Sequence, residues 1–591
     1  MSTLRFVLFA VAGSVFAASP DGAALYKAHC GFCHDGAPQP RMPSHADLAS
    51  RTPEFVLSAM SGVMAVQSAG LSDDEERAIA TFITGKEIAK EAPRSSAGMC
   101  TTAAPAFKMI DGDWSGWGGD PGNSHFQTKP GLASGDIPKL KLKWAFGFDK
   151  APMAWSQPAV VAGRVFVGSV AGDVYALDAK TGCTYWTYSA GAGVRTAISV
   201  GKLANGRWAA YFGDIRATAH AVDAETGKLL WKVKLDEHPA ARITGAPTLV
   251  NGRLYVPMAS IEEASAAQPT YACCTFRGSV SALDAATGKK YWQSYSVSDP
   301  AKPYKTSKNG IELKGPAGAS IWSSPTVDLK RKLVYAATGN SYTGVSISTS
   351  DAVLAFDLKD GHMVWASQVQ PKDNFVIGCP RGPQCDPDDD GPDYDFGTSP
   401  VLRTLPNGKD IIIAGQKAGV AWGLDPDNRG KVVWQTRLGH GSALGGIEWG
   451  HAADNHTAYI AISDRIVREG GKPGLYALDL ATGAPVWSAP APEGVKGNPA
   501  QSAAVTVIPG AVFSGALNGH FRAYSTADGQ ILWDFDTNRP FDTVNGVKAA
   551  GGSIDSAGPV IAHGMVFTNS GYGMFGGKQG NVLLAFSVDG Q

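Results

Sequence analysis

Cys30, Cys33 and His34 stand as C-x-x-C-H within AHCGFCHDG, near the start of a 591-residue chain. Two thiols at this spacing can add to the vinyl groups of a haem while the adjoining imidazole takes the iron from one face. A zinc half-site or a redox dithiol would use the same cysteines. Zinc would need a second C-x-x-C or an H-x-x-x-H to complete its shell, and the sequence has neither. His34 stands where covalent haem attachment requires it, so the pattern reads as haem c. A second axial ligand would come from a loop, and a methionine thioether there raises the reduction potential. Met42, Met60 and Met64 are the candidates; those that do not ligate would fill core space.

Such a hook needs a small helical module. Ser19-Pro20-Asp21 can start a helix through Leu25 and Tyr26, and Ser72 with Glu75 forms a capping box ahead of Ala78, Ile79, Phe82 and Ile83. Before it, residues 1–18 read as an export signal: one charge at Arg5, an apolar run, then small residues suited to cleavage after Ala17 or Ala18. That run is too short to span a bilayer, and no later stretch offers eighteen uninterrupted apolar residues. A periplasmic protein with no transmembrane segment is expected, in a compartment where disulfides persist. The net charge of -1 leaves no basic footprint, so nucleic acid is excluded as a partner.

After an Ala/Ser/Pro-rich stretch the chain repeats itself. YALDAKTGCTYW, HAVDAETGKLLW, SALDAATGKKYW, LAFDLKDGHMVW, WGLDPDNRGKVVW, YALDLATGAPVW and RAYSTADGQILW end at Trp186, Trp231, Trp292, Trp365, Trp434, Trp487 and Trp533, roughly 45 to 75 residues apart. An eighth copy, LLAFSVDG, stops short. Each is a strand, a turn and a second strand, and four short strands per unit at this period define a propeller. KLKLKWAFGF, with Trp144, can supply the missing outer strand and close the ring. The expected fold is an all-β eight-bladed propeller with a small all-α cytochrome c domain at its N-terminus: signal 1–18, cytochrome 19–90, linker 91–112, propeller 113–591. The seven repeated tryptophans read as blade-to-blade packing.

The repeats resemble those of the pyrroloquinoline quinone (PQQ) alcohol dehydrogenases, and the N-terminal place of the cytochrome is similar to that in polyvinyl-alcohol dehydrogenases. The resemblance covers nearly the whole mature chain. It implies oxidation of a secondary alcohol, with polyvinyl alcohol or a similar polymer as donor, PQQ and calcium in the propeller, and haem c passing electrons to a soluble cytochrome. Among the methionines it favours Met64. It places Trp322, in GASIWSSPTVD, under the quinone, although another packed tryptophan is the plain alternative. Asn340, in YAATGNSYTG, matches a calcium ligand, as does one of Glu262 and Glu263; counting from Ser260 favours Glu263, with Glu262 as its solvated neighbour. Asp373 stands where the family has its general base, which takes the hydroxyl proton, and also as a calcium ligand. Lys417 matches a cation on the quinone carbonyls, and Arg195, Thr244 and Ser260 match residues around the cofactor.

Adjacent α-carbons lie about 3.8 Å apart across a trans peptide, so a bond between Cys273 and Cys274 would be strained. The resemblance implies such a vicinal disulfide against the quinone. Here the pair follows Glu263, whereas the familiar alcohol dehydrogenases place it before the calcium glutamate. Cys100 with Cys183, and Cys379 with Cys385, form an economical pairing that spacing does not fix. CDPDDDGPDYD reads as a solvated run, a second calcium site or a rim to the substrate entrance. A dehydrogenase for small alcohols would share the cofactor residues; a haem-propeller nitrite reductase or a scaffold propeller would not need them.

Overall fold

The repeated D-x-x-T-G closes a hairpin by the same local chemistry in copy after copy. Asp178 Oδ1 accepts the N–H groups of Lys180 (3.1 Å) and Thr181 (2.8 Å) and the Thr181 hydroxyl (2.9 Å), an Asx turn. Asp223, Asp284 and Asp479 repeat the hydroxyl bond with Thr226, Thr287 and Thr482. The glycine that follows adopts a left-handed φ, 74° at Gly288, which costs a residue without Cβ little. It also makes room, because a Cβ on Gly288 would lie 2.7 Å from the ring of Trp231 in the preceding copy. Trp231 Nε1 donates to Ala285 O at 3.0 Å, and Trp186, Trp434 and Trp487 make the same bond to Ala224, Leu480 and Thr526. The conserved turn of one blade is therefore the seat for the tryptophan of the blade before it.

The computed structural model describes residues 20–36, 43–68, 71–88, 97–266, 270–378, 391–467 and 469–590. Among them, seven antiparallel sheets take their strands in chain order, within 159–189, 199–234, 241–295, 326–368, 401–437, 452–490 and 506–536. The eighth joins the two ends of the propeller: Lys141–Gly147 pairs with Val582–Ser587, Trp144 opposite Ala585. Trp144 Nε1 donates to Ala179 O at 3.1 Å and stands in for the tryptophan that the last copy lacks. Between sheets the core is apolar, with Val165, Leu254, Ile412 and Val566 wholly buried.

The chain divides into two compact units, one of residues 1–57 and 71–90, the other of 58–70 and 91–591. In the first, Asp21 accepts the N–H groups of Ala23 and Ala24 and starts the helix Gly22–His29, while the Ser72/Glu75 capping box starts Asp73–Thr84, both as expected. A Cβ on Gly22 would lie 2.3 Å from Ala78 O, so these helices cross backbone to backbone. In the second unit, the stretch expected as a linker is stitched to the first blade. Thr184 donates to Gly98 O and Cys100 to Thr184 O, Cys100 and Cys183 form a disulfide with Cα atoms 5.0 Å apart, and Arg164 donates to Pro105 O. No helix among the described residues is long and apolar enough to cross a membrane. The signal, Met42, Cys379 and Cys385 lie outside the described residues.

Candidate active site

Lys417, just after the strand Asp410–Gln416, gathers several of the expected residues. Its Nζ lies 2.9 Å from Asp395 Oδ2, 3.2 Å from each Asp393 oxygen, and 5.5 Å from the centre of the Trp322 ring. Asp395 Oδ1 accepts the N–H of Asn340 at 2.7 Å, and Asn340 Nδ2 donates to Ser341 O and Phe375 O. The carboxylate of Asp373, wholly buried, accepts the N–H groups of Asp393 (3.1 Å) and Tyr394 (2.6 Å), one to each oxygen. It therefore staples the segment that carries Asp393 and Asp395. Glu263 sits on the one-turn helix Glu262–Ser265 that follows the strand Arg253–Ser260, and its carbonyl accepts from Ile377.

The electrostatics are one-sided. Burial would push the Lys417 ammonium toward neutrality, but Asp393, Asp395 and Glu263 hold it charged. Burial, with Asp395 as a like-charged neighbour, pushes Glu263 up to about 7. Asp373 rises to about 6, mainly by burial, against the pull of its backbone donors. Asp393 and Asp351 are raised well above the usual carboxylate range, burial again being the main cause. Asp393, Asp395 and Glu263 thus crowd one ammonium, with Asp351 and Asp373 raised beside the same carboxylates, an excess of carboxylate oxygens that would suit a hard cation.

Glu262 departs from its expected role as a solvated neighbour. It is wholly buried, and Oε1 accepts from Tyr271 (3.0 Å) and Thr275 (2.8 Å) while Oε2 accepts from Phe276 (2.8 Å). Burial alone would raise its pKa; His238, 3.3 Å away, and the two backbone donors hold it below the usual range. The helix turns successive residues by about 100°, so the two glutamates face different surroundings. Beyond them, Cys273 and Cys274 form the expected vicinal disulfide, across a cis peptide with Cα atoms 3.1 Å apart rather than the trans distance. Cys273 Sγ lies 3.9 Å from Tyr342 O, and the Tyr342 hydroxyl bonds Ser320 (2.7 Å) and Ser260 (3.3 Å).

Aromatic groups connect Trp322 to the remaining expected residues. Trp449 meets Trp322 edge to face with centroids 4.9 Å apart, and the Arg195 guanidinium lies 4.2 Å from the Trp449 centroid, with Trp155 and Tyr572 also beside it. A Cβ on Gly397 would lie 2.1 Å from the Trp322 ring, so only glycine lets that ring lie as it does. Thr244 Oγ1, Trp449 Nε1 and Glu448 Oε2 are buried with no hydrogen-bond partner. Unpaired buried polar atoms are costly. An indole face, a guanidinium and these unpaired atoms fit a flat ligand rich in oxygen, as PQQ is.

In the other unit, Cys30 and Cys33 are free thiols. His34 is buried, with Nδ1 2.7 Å from Pro43 O. That contact occupies one ring nitrogen and leaves Nε2 for iron, the second-shell pattern of metal-bound histidines. These residues fit haem c. Met64 is half-buried and belongs to the propeller unit.

Sequence reasoning missed Asp393, Asp395, Glu448 and Trp449. The two aspartates close the run read as solvated, yet each is only 6% exposed. The signal beside them is apolar: Tyr394 and Phe396 interrupt the charged run, and Phe396 is wholly buried. Trp449 lies outside the repeat position, as Trp322 does.

Residues 114–385 match the family model "Glucose/ethanol/alcohol dehydrogenase, beta-propeller domain", residues 416–585 that of "Outer membrane protein assembly factor BamB", and residues 17–83 that of "Cytochrome C oxidase, cbb3-type, subunit III". A quinohaemoprotein alcohol dehydrogenase from Pseudomonas putida shares the fold, with a TM-score of 0.62 and 18% identity over 81% of each chain. A PQQ-type propeller joined to a cytochrome c unit defines a quinohaemoprotein alcohol dehydrogenase. Two relatives named polyvinylalcohol dehydrogenase match end to end: one from Pseudomonas sp at 46% identity, covering 100% of this chain and 98% of the relative, and one from Sphingopyxis sp. (strain 113P3) at 42%, covering 97% and 93%. The chain belongs to the polyvinylalcohol dehydrogenase family.

Proposed function

We propose that this protein, exported to the periplasm, oxidises secondary hydroxyl groups of polyvinyl alcohol to ketones and passes the electrons to a soluble cytochrome. The observation that carries the reading is the cluster of Lys417, Asp393, Asp395, Asn340 and Trp322, in a chain that also holds a haem-attachment motif and is 46% identical to a relative named for that polymer. Bound PQQ supplies a two-electron acceptor, calcium a Lewis acid beside it, and haem c a one-electron outlet.

The chain's own residues do the rest. Trp322 would offer its face to the quinone, Arg195 and Thr244 would hold its oxygens, and Ser260, Tyr342 and the Cys273–Cys274 disulfide would line the site with them. Glu263 and Asn340 are assigned to calcium; Glu262, its oxygens already taken, is not. Asp373 is assigned as the base for the hydroxyl proton: each of its oxygens accepts one backbone N–H and keeps a further lone pair for the proton. Asp393, both of whose oxygens accept from Lys417, is positioned by the bond from its own N–H to Asp373. Lys417 holds negative charge as it develops.

The test is the haem absorption of the purified protein loaded with PQQ and calcium, before and after addition of polyvinyl alcohol. Reduction of the haem only when quinone, calcium and polymer are all present supports the reading. Reduction by small secondary alcohols but not the polymer overturns the substrate, and no reduction by any alcohol overturns the dehydrogenase chemistry of this site.

A further inference from the structure

The loop that carries the vicinal disulfide is held from two sides. On one, Cys274 N–H donates to Lys314 O at 2.9 Å and Lys314 N–H to Cys273 O at 2.7 Å, which lays the cysteine pair alongside the strand Glu312–Gly315 of a hairpin. On the other, the Glu262 carboxylate accepts the Tyr271 hydroxyl at 3.0 Å and the N–H groups of Thr275 and Phe276 at 2.8 Å each, donors that lie on either side of the cysteines in the chain. Glu262 is also the first residue of the one-turn helix Glu262–Ser265. Its N–H donates to Ser260 Oγ at 3.3 Å, and its carbonyl accepts from Ala266 at 2.9 Å. A wholly buried carboxylate therefore spends every oxygen on the disulfide loop, while the backbone beside it builds the turn that carries Glu263.

We propose that Glu262 is a positioning residue for both Glu263 and the Cys273–Cys274 disulfide, its carboxylate tying the helical turn that carries the one to the loop that carries the other. The inference rests on the reading of Glu263 as a calcium ligand. It also accounts for the chain order found here. A disulfide that follows Glu263 has to be turned back toward the strand end at Ser260, and the bonds to Glu262 do so: Cys273 Sγ lies 3.9 Å from Tyr342 O, and the Tyr342 hydroxyl bonds Ser260. Charge matters as well as shape. Oε1 and Oε2 each accept a backbone N–H, so a glutamine amide, in either orientation, would set its NH2 against one of those donors.

The test uses the full-length protein and two readings that do not involve turnover: the rate at which a small thiol reduces Cys273–Cys274 in the folded protein, followed by trapping and mass spectrometry, and the calcium affinity of the PQQ-loaded protein by calorimetry. Cys273 is 7% and Cys274 0% exposed, so reduction reads the loosening of their loop. Glu262→Gln should speed reduction and weaken calcium binding by roughly tenfold each, as expected when a charged acceptor no longer holds its donor. Glu262→Asp, which keeps two acceptor oxygens, should recover part of both. Glu263→Gln is the reference for a lost calcium ligand and should leave the reduction rate near wild type. Trp487→Ala, on another blade, is the control for global stability. If Glu262→Gln matches wild type in either reading, or if Trp487→Ala speeds reduction as much, the proposal is overturned. If Glu263→Gln leaves calcium binding unchanged, the calcium assignment is what fails and the half of the proposal that concerns Glu263 falls with it; the reduction rate of Glu262→Gln still decides the half that concerns the disulfide.

Discussion

At the outer edge of the propeller the turn and the docked tryptophan of the repeat find their partners, and around Trp322 several polar groups find none. Trp231 Nε1 meets Ala285 O, and the Asp284 carboxylate is filled by its own turn. Around Trp322, by contrast, Thr244 Oγ1, Trp449 Nε1 and Glu448 Oε2 are buried and unpaired, and carboxylates crowd a single lysine. A region built for stability satisfies its donors and acceptors within the chain. A region built to hold a cofactor leaves them for the ligand, at a cost in stability that the surrounding sheets must carry.

The largest effect should come from the crowded side. Asp373→Asn is expected to lower kcat by about a thousandfold, within the range of a lost general base, while haem and PQQ stay bound. Asp393→Asn should cost less. If steady-state kinetics rank the two the other way, Asp393 is the base and the role assigned to Asp373 is wrong.

On the satisfied side the sign reverses. Trp231→Ala should destabilise the protein by roughly 2–3 kcal/mol in denaturant unfolding, somewhat less than a fully buried tryptophan because Trp231 is half-buried, with kcat of the folded fraction unchanged. Equal losses of activity and stability would show that the two regions are not separable.

The raised carboxylates predict a pH dependence. Glu448, pushed up to about 7 by burial and by Asp555, holds its proton in the folded protein at pH values where the unfolded chain has lost it. Its stabilising contribution is full below about 4.5, the ordinary value, and disappears as pH rises through 7. Cofactor-free wild type should therefore lose on the order of 2 kcal/mol relative to Glu448→Gln between pH 5 and 8. His125 and His451, depressed by burial to about 3 and about 4, act in the opposite sense below 6.5 and cancel in the difference. A pH-independent difference would mean that Glu448 is ionised throughout.

The smallest effect sharpens the comparison most. Thr244→Val removes an unpaired hydroxyl and should raise the stability of the cofactor-free protein by about 1 kcal/mol, while PQQ binds roughly tenfold more weakly in a fluorescence titration. A loss of stability would show that Thr244 is satisfied by the protein, and the contrast would fail there.

Sequence by itself determined what is local or repeated. Haem attachment needs two thiols and an imidazole at a fixed spacing, so Cys30, Cys33 and His34 were legible as a unit. Asp21 and Ser72 marked their helix starts because capping is settled within four residues. Asp, Gly and Trp recur because each hairpin solves the same turn and the same docking problem, which gave the eight blades and the closing strand at Trp144. What only the tertiary structure decided are meetings between distant segments. Lys417 lies beside Asp393 and Asp395 because a blade strand and a loop converge there, and charge patterning alone read that loop as solvated. Glu262 and Glu263 differ only in which way one helical turn points them. The segment 58–68 lies within the cytochrome sequence yet packs with the propeller, because Gly62 and Ala65 are small enough to enter its apolar cluster. Which of several plausible surfaces a residue meets is set by packing across the whole fold, and no local pattern records it.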